Sequence, residues 1–241
     1  MALYFISDLH LEHQRPAMAA GFKAFVDGLT DAEALYILGD FFEVWMGDDY
    51  NDPFVDGVKA TLRDAVERGI AVYLMHGNRD FLLGEAFCAD IGANKVAEGS
   101  VIHHGDESAV ILHGDSLCTQ DVEYMKIRQM FRSPQWQADF LGKSLEERIA
   151  FARHVRTESQ SGQQMKSAEI MDVTPIEVDK ALDEAGVTRM IHGHTHRPNV
   201  HHWQHQGEAR ERIVLGDWDD TQGWMIRWEK DSAPQLSKFS F

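Results

Sequence analysis

Residues 34–40 read A-L-Y-I-L-G-D. A short apolar run that stops at glycine and aspartate is the pattern of a buried parallel strand carrying a carboxylate past its C-terminal end. The pattern recurs on both sides. Leu3–Ser7 runs into Asp8 and His10, and Ile70–Met75 runs into His76, Gly77 and Asn78. Between these runs the apolar spacing predicts helices. Ala17–Leu29 puts Phe22, Phe25, Val26 and Leu29 on one face; Phe54–Arg68 does the same with Val55, Val58, Leu62 and Val66, and Gly69 follows as its stop. Strands alternating with helices predict an α/β domain with a largely parallel sheet.

The later part repeats the theme. Ala109–Leu112 runs into His113-Gly114-Asp115, Thr188–Ile191 into His192-Gly193-His194-Thr195-His196, and Ile213–Leu215 into Gly216-Asp217. Thr174-Pro175-Ile176-Glu177 reads as a capping box opening a helix to Ala185, which Gly186 ends. Gly223–Glu229 alternates as an edge or sandwich strand.

The 241 residues are read as one domain. Lys and Arg number 23 against 39 Asp and Glu, a net charge of −16, which excludes a coat for nucleic acid because phosphate binding needs a cationic face. Cys88 and Cys118 make neither a disulfide framework nor a CxxC metal site, so we read them as structural thiols in a reducing cytosol. No apolar window approaches the ~18 residues of a spanning helix, and Met1–Ile6 reads as a first strand rather than a leader.

One stretch differs from the rest. Residues 126–166 show no strand pattern, carry Phe131, Trp136, Phe140 and Phe151, and hold eight Lys or Arg against four acids. That segment is +4 and leaves −20 for the remainder. We read it as a basic, amphipathic helical insertion over or beside the sheet.

Every strand candidate ends in residues able to ligate a metal. A single His or Asp after a strand is an ordinary turn residue. Seven of them are a different matter: Asp8, His10, Asp40, Asn78, His113, His194 and His196 all reach the edge where α/β sheets place their ligands. Two carboxylates, one amide and four imidazoles suit Mn²⁺, Fe²⁺ or Zn²⁺ better than Mg²⁺ or Ca²⁺. The set is too large for one tetrahedral ion but fits two ions sharing a carboxylate, with Asp40 the natural bridge. Such a pair makes a nucleophile from water and clamps a phosphoryl oxygen, so the expected reaction is hydrolysis at phosphorus. His76 and His192 adjoin ligands and are open to supporting or packing roles. His13, His103, His104, His154, His201, His202 and His205 read as surface or loop residues, and Trp45 and Trp218 as packing.

The blocks D-L-H (8–10), G-D (39–40), G-N (77–78), H-G-D (113–115) and G-H-T-H (193–196) resemble the calcineurin-like metallophosphoesterases, in order from Asp8 to His196. The resemblance implies a four-layer α/β/β/α sandwich with a dinuclear site. Asp8, His10, Asp40 and His196 would hold one ion, and Asp40, Asn78, His113 and His194 the other. One departure is informative: the wider family has G-N-H where this chain has Gly77-Asn78-Arg79. Arginine cannot supply a proton, but its fork binds phosphate oxygens, so Arg79 favours a pyrophosphate whose leaving group needs no acid.

A narrower likeness runs nearly end to end. I-L-G-D-F-F-E (37–43), M-H-G-N-R-D-F-L (75–82), L-H-G-D-S-L-C-T (112–119) and I-H-G-H-T-H-R-P (191–198) resemble the UDP-2,3-diacylglucosamine hydrolases of the lipid A pathway. The likeness implies two Mn²⁺ ions and water attack on the α-phosphorus of a UDP-diacylglucosamine lipid. UMP and 2,3-diacylglucosamine 1-phosphate would leave. It also implies a peripheral protein on the cytoplasmic face of the inner membrane, with the 126–166 insertion taking acyl chains on its aromatic face and meeting lipid headgroups through Arg148, Arg153 and Arg156, and we expect a monomer. Asn78, Arg79, Asp121, Ser159, Gln163, Lys166 and His194 would contact substrate, with 159, 163 and 166 sharing one helical face. Asp40, Asn78, Arg79, His113 and His194 would carry the chemistry. Another calcineurin-like phosphodiesterase, a soluble nucleotide pyrophosphatase, or a scaffold that has lost chemistry are the rival readings.

Overall fold

The apolar run at the N-terminus becomes β1 (Ala2–Ile6), buried on both faces as a central parallel strand requires. β2 (Ala32–Leu38) pairs with it in parallel and β3 (Ala71–Met75) pairs in parallel with β2, the three strands joined by α1 (Pro16–Asp27) and α2 (Pro53–Glu67). Asp52 caps α2, its carboxylate accepting the Val55 N–H at 2.9 Å, with Pro53 at the first helical position. α3 (Glu85–Ile91) and β4 (Asn94–Lys95) complete this half. The structure is a computed structural model that describes residues 1–163 and 172–241, with side chains described up to 155 and from 172.

The second half begins with the hairpin of β5 (Ser100–His104) and β6 (Glu107–Ile111). After β6 the chain leaves the sheet through α4 (Val122–Phe131), α5 (Pro134–Leu141) and α6 (Leu145–Gln163), and α7 (Pro175–Ala185) brings it back. There follow β7 (Arg189–His192), β8 (Asn199–His205), β9 (Glu208–Val214), β10 (Gln222–Glu229) and β11 (Gln235–Ser240). One sheet runs β11-β10-β1-β2-β3-β4 and the other β5-β6-β7-β9-β8. Phe5, Tyr36, Met75, Ile111, Ile191, Ile213 and Trp228 form the core between them. Helices α1 to α3 cover the outer face of the first sheet, and Val178 and Leu182 of α7 cover that of the second. The result is the four-layer α/β/β/α order that the resemblance implies. Among the described residues, no helix is long and apolar enough to cross a membrane.

The differences from the sequence reading have local causes. Of the two readings of Gly223–Glu229 the sandwich strand holds: β10 lies between β1 and β11, and the edge belongs to β11. Four short or edge strands, β4, β5, β8 and β11, carry no continuous apolar run, because only half or less of each is covered. The Thr174 capping box does not form: its hydroxyl accepts from the Thr119 hydroxyl at 2.9 Å and gives no bond to the first turn. His104 is not a surface residue but is buried at 6% exposure, edge-on to Trp228. Trp45 and Trp218 are packed in the aromatic core.

The helical excursion also departs from a simple amphipathic lid. Phe131, Trp136, Phe140 and Phe151 stack on one another and on Phe81 of the body, with Phe131 and Trp136 centroids 4.4 Å apart. Arg148 is corrected from a membrane-facing charge to a strut. It is 2% exposed and donates to the Met46 carbonyl and both oxygens of Asp49, fastening α6 to the loop after β2. Arg153 is exposed, and the Arg156 side chain lies outside the described residues.

Candidate metal centre

Five parallel strands, three in one sheet and two in the other, point their C-terminal ends at a common edge. β1 delivers Asp8 and His10, β2 Asp40, β3 Asn78, β6 His113, and β7 His194 and His196. The turns are unusual in their backbone. Asp8, His10, Asp40, His194 and His196 have φ between 49° and 66°, a region that side chains other than glycine disfavour. Cross-loop bonds hold them there: Asp8 N–H to Gly39 O at 3.1 Å, His10 N–H to Asp40 O at 2.9 Å, and His194 N–H to Asp8 Oδ2 at 2.9 Å. The loops approach so closely that a methyl on Gly77 would sit 2.1 Å from Asp40 Oδ1, and one on Gly193 would sit 2.3 Å from Asp8 Oδ2. Glycine precedes those ligands because the neighbouring loop needs that space.

The donors form two groups. Asp8, His10 and His196 offer ligand atoms within 4.8 Å of one another, and so do Asp40, His113 and His194. Asn78 joins the second group, its Oδ1 lying 3.0 Å from His113 Nε2. Asp40 faces both groups with different oxygens: Oδ2 is 3.8 Å from His10 Nε2, and Oδ1 is 3.6 Å from His113 Nε2. Asp40 therefore stands between the two groups.

The residues present fit a pair of divalent cations. Asp8 Oδ1 is buried without a hydrogen-bond partner, an arrangement that costs free energy unless a cation faces it. His113 Nδ1 lies 2.9 Å from the Leu38 carbonyl and so donates there, which makes Nε2 the nitrogen that faces the site. His10 Nδ1 faces Glu43 at 3.0 Å, and its Nε2 lies 3.4 Å from His196 Nε2. Burial alone would lower the pKa of His113, but Asp40 and Asp8 push it up to about 9. His196 also rises to about 9, because Asp8 outweighs its burial. His194 falls to about 4 through burial and the nearby His113. Burial would raise Asp8, yet the charge of His196, whose Nε2 lies 3.4 Å from Asp8 Oδ1, holds it well below the usual carboxylate range.

The sequence matches the calcineurin-like phosphoesterase family over residues 1–198, a span that holds all seven donors. This chain belongs to the calcineurin-like phosphoesterases. Its similarity to UDP-2,3-diacylglucosamine hydrolases extends further. It is 49% identical to that of Cellvibrio japonicus over 94% of both chains. It is 44% identical to that of Chromohalobacter salexigens over 100% of this chain and 98% of the relative. For one from Pseudomonas putida the identity is 46% over 98% of each.

Around the donors of this phosphoesterase stand residues that the sequence reading missed. Glu43 lies between His10 and Arg79, 3.7 Å from the Arg79 guanidinium, so one carboxylate touches a ligand and the expected phosphate-binding arginine. Asp80 is buried, accepts the N–H groups of Phe41 and Gly77 at 2.8 Å each, and thereby ties the β2 and β3 loops together. Burial, and after it Asp40, raise its pKa. Glu98 and the buried Asp115 support the His113 turn. Asp115 follows a ligand by two residues, which is the one sequence signal that could have marked it. Asp121, expected at the substrate, caps α4 by accepting the Tyr124 N–H at 3.1 Å. Ser159, Gln163 and Lys166 lie outside the residues whose side chains are described. His76 contacts the Leu83 carbonyl. His192 is fully buried, its pKa lowered to about 3 chiefly by burial.

Proposed function

We propose that this chain hydrolyses UDP-2,3-diacylglucosamine at its pyrophosphate, releasing UMP and 2,3-diacylglucosamine 1-phosphate in lipid A biosynthesis. The observation that carries the reading is the 44–49% identity to the hydrolases of that substrate, over matches that cover 94–100% of this chain. The proposal includes two Mn²⁺ ions, held by Asp8, His10, Asp40 and His196 and by Asp40, Asn78, His113 and His194. Bound there, divalent ions supply Lewis acidity to a phosphoryl oxygen and lower the pKa of a water. Arg79, beside Asn78, takes pyrophosphate oxygens and offsets the charge that develops on the departing sugar phosphate. That group leaves as a phosphomonoester, so no residue need protonate it. Asp121, Ser159, Gln163, Lys166 and His194 complete the substrate contacts, and residues 126–166 serve as the lid of a single domain.

A release assay tests this reading. Unacylated UDP-N-acetylglucosamine should turn over at least about two hundredfold less efficiently, since a buried CH₂ contributes ~0.8 kcal/mol and four already give that factor. In ¹⁸O water the label should appear in UMP. Equal turnover of the two substrates, or label in the lipid phosphate, would overturn the proposal.

We also place the protein peripherally on the cytoplasmic face of the inner membrane, supported by exposed Lys126 and Lys143 beside exposed Ile127, Met130 and Leu141. The charge-reversed pair Lys126→Glu and Lys143→Glu should lower co-sedimentation with anionic vesicles at an unchanged melting temperature. Arg148→Met should instead cost about 1–3 kcal/mol of stability, because it leaves the Met46 carbonyl without its donor and cuts the tie from α6 to the loop after β2. Vesicle binding that ignores the lysine pair, or an Arg148→Met chain as stable as the parent, would contradict these assignments.

A further inference from the structure

The two donor groups are not supported alike. Asp8, His10 and His196 are braced by the body of the domain, through Glu43, Ser7 and the strand-end turns. Three of the four donors of the other group are braced from α4, outside both sheets. The Tyr124 ring lies over the His194 ring, centroids 6.2 Å apart and planes 27° apart, and its hydroxyl donates to Asp115 at 2.5 Å. One turn on, Arg128 donates from Nε to Asp115 at 2.8 Å and from Nη2 to Glu98 at 2.7 Å. The other oxygen of Glu98 receives the N–H groups of His113 and Gly114 at 3.2 and 3.4 Å. A further turn on, Arg132 donates to the Gly77 carbonyl at 2.8 Å, immediately before Asn78.

Positions 124, 128 and 132 repeat at the i, i+4 spacing that sets side chains in one row. That row meets the supports of His194, His113 and Asn78 in turn. Asp115 is fully buried, so its charge stays in place only while Tyr124 and Arg128 accompany it. Groups that orient ligands in this way commonly govern metal affinity by 10–100-fold.

We infer that α4 positions the donors of one metal site, that of Asp40, Asn78, His113 and His194, and leaves the site of Asp8, His10, Asp40 and His196 independent of it. The inference rests on the two-ion reading above. Tyr124, Arg128 and Arg132 are positioning residues: they act through Asp115, Glu98 and the Gly77 carbonyl rather than on an ion. Seating of the excursion and occupancy of one metal site are then linked, and the other site fills regardless.

Metal uptake by the full-length chain tests this directly. The chain is freed of metal by a chelator and titrated with Mn²⁺, the free ion being counted by electron paramagnetic resonance. The parent should take two equivalents. Arg128→Gln combined with Arg132→Gln should keep one tight equivalent and weaken the other about 10–100-fold. Adding His10→Gln should then weaken the remaining one. Arg128→Lys, which keeps the charge without the fork, should recover part of the loss. Tyr124→Phe removes one hydroxyl and should shift the same equivalent by a smaller factor, which gives a readout even if the double variant fails to fold. A chain in which α4 is merely anchored would melt lower and bind both ions as before, and that result overturns the inference. Equal weakening of both equivalents also overturns it. A parent chain that takes fewer than two ions overturns the two-ion reading itself, and the inference with it.

Discussion

Exchanging Asp40 for alanine is expected to lower kcat by about 10⁴-fold, roughly 5.5 kcal/mol of transition-state stabilisation. Asp40 faces both donor groups with its carboxylate. Its Oδ2 looks toward His10 and its Oδ1 toward His113, so one substitution strips a donor from each. The same change should appear without any assay of activity. Ions that bind only the folded chain stabilise it by about 2.7 kcal/mol at a hundred times Kd, or about 5–10 °C in a chain of this size. Adding Mn²⁺ to the chelator-treated parent should therefore raise Tm by that amount, and the Asp40→Ala chain should lose most of the rise. Asp40→Asn, which keeps the shape and one weak donor, should fall between. Persistent hydrolysis, or an undiminished Tm rise in Asp40→Ala, would remove Asp40 from the bridge.

The second large effect is expected from a single methyl group. In Gly77→Ala the new carbon would lie 2.1 Å from Asp40 Oδ1 and 2.2 Å from Asp40 N, contacts no rotamer change can relieve because one partner is backbone. The β3 turn must move away from the β2 turn, taking Asn78 and Arg79 with it. Overpacking of this kind costs about 1–3 kcal/mol, and more where backbone must yield. A displacement near 1 Å at a reacting centre costs about a hundredfold in rate. The variant should thus melt lower and lose at least about a hundredfold in kcat, whereas alanine at Gly57, where nothing lies within 4 Å, should be nearly silent. Full activity in Gly77→Ala would show that the turns are not held as described.

Much of the architecture is legible in the chain because buried strands are local signals. A-L-Y-I-L at 34–38 is apolar on both faces wherever it is placed, and the strand it predicts is β2. The polar strand β8, N-V-H-H-W-Q-H, is not legible in this way. It sits at a sheet edge with half its residues in water and forms by pairing with β9. The charges of the excursion were misleading for the opposite reason. Arg148 has the composition of a solvated face, yet a pocket beside Gly47 and the Asp49 carboxylate buries it.

The sequence alone placed the seven candidate donors in their order after the strands, because each follows its own apolar run and that pairing is local. It also placed Arg79 beside Asn78, and with it the expectation of a pyrophosphate. The tertiary structure decided how the donors group, which oxygen of Asp40 faces which group, and the left-handed turns that aim five of them. It alone decided that α4 braces one group and not the other. The bonds responsible join residues 30 apart in Arg128–Glu98, 55 apart in Arg132–Gly77 and 99 apart in Arg148–Asp49. A charged side chain carries no local record of its partner. The choice is made when two packed sheets and a helix bring remote carboxylates and carbonyls within hydrogen-bonding reach.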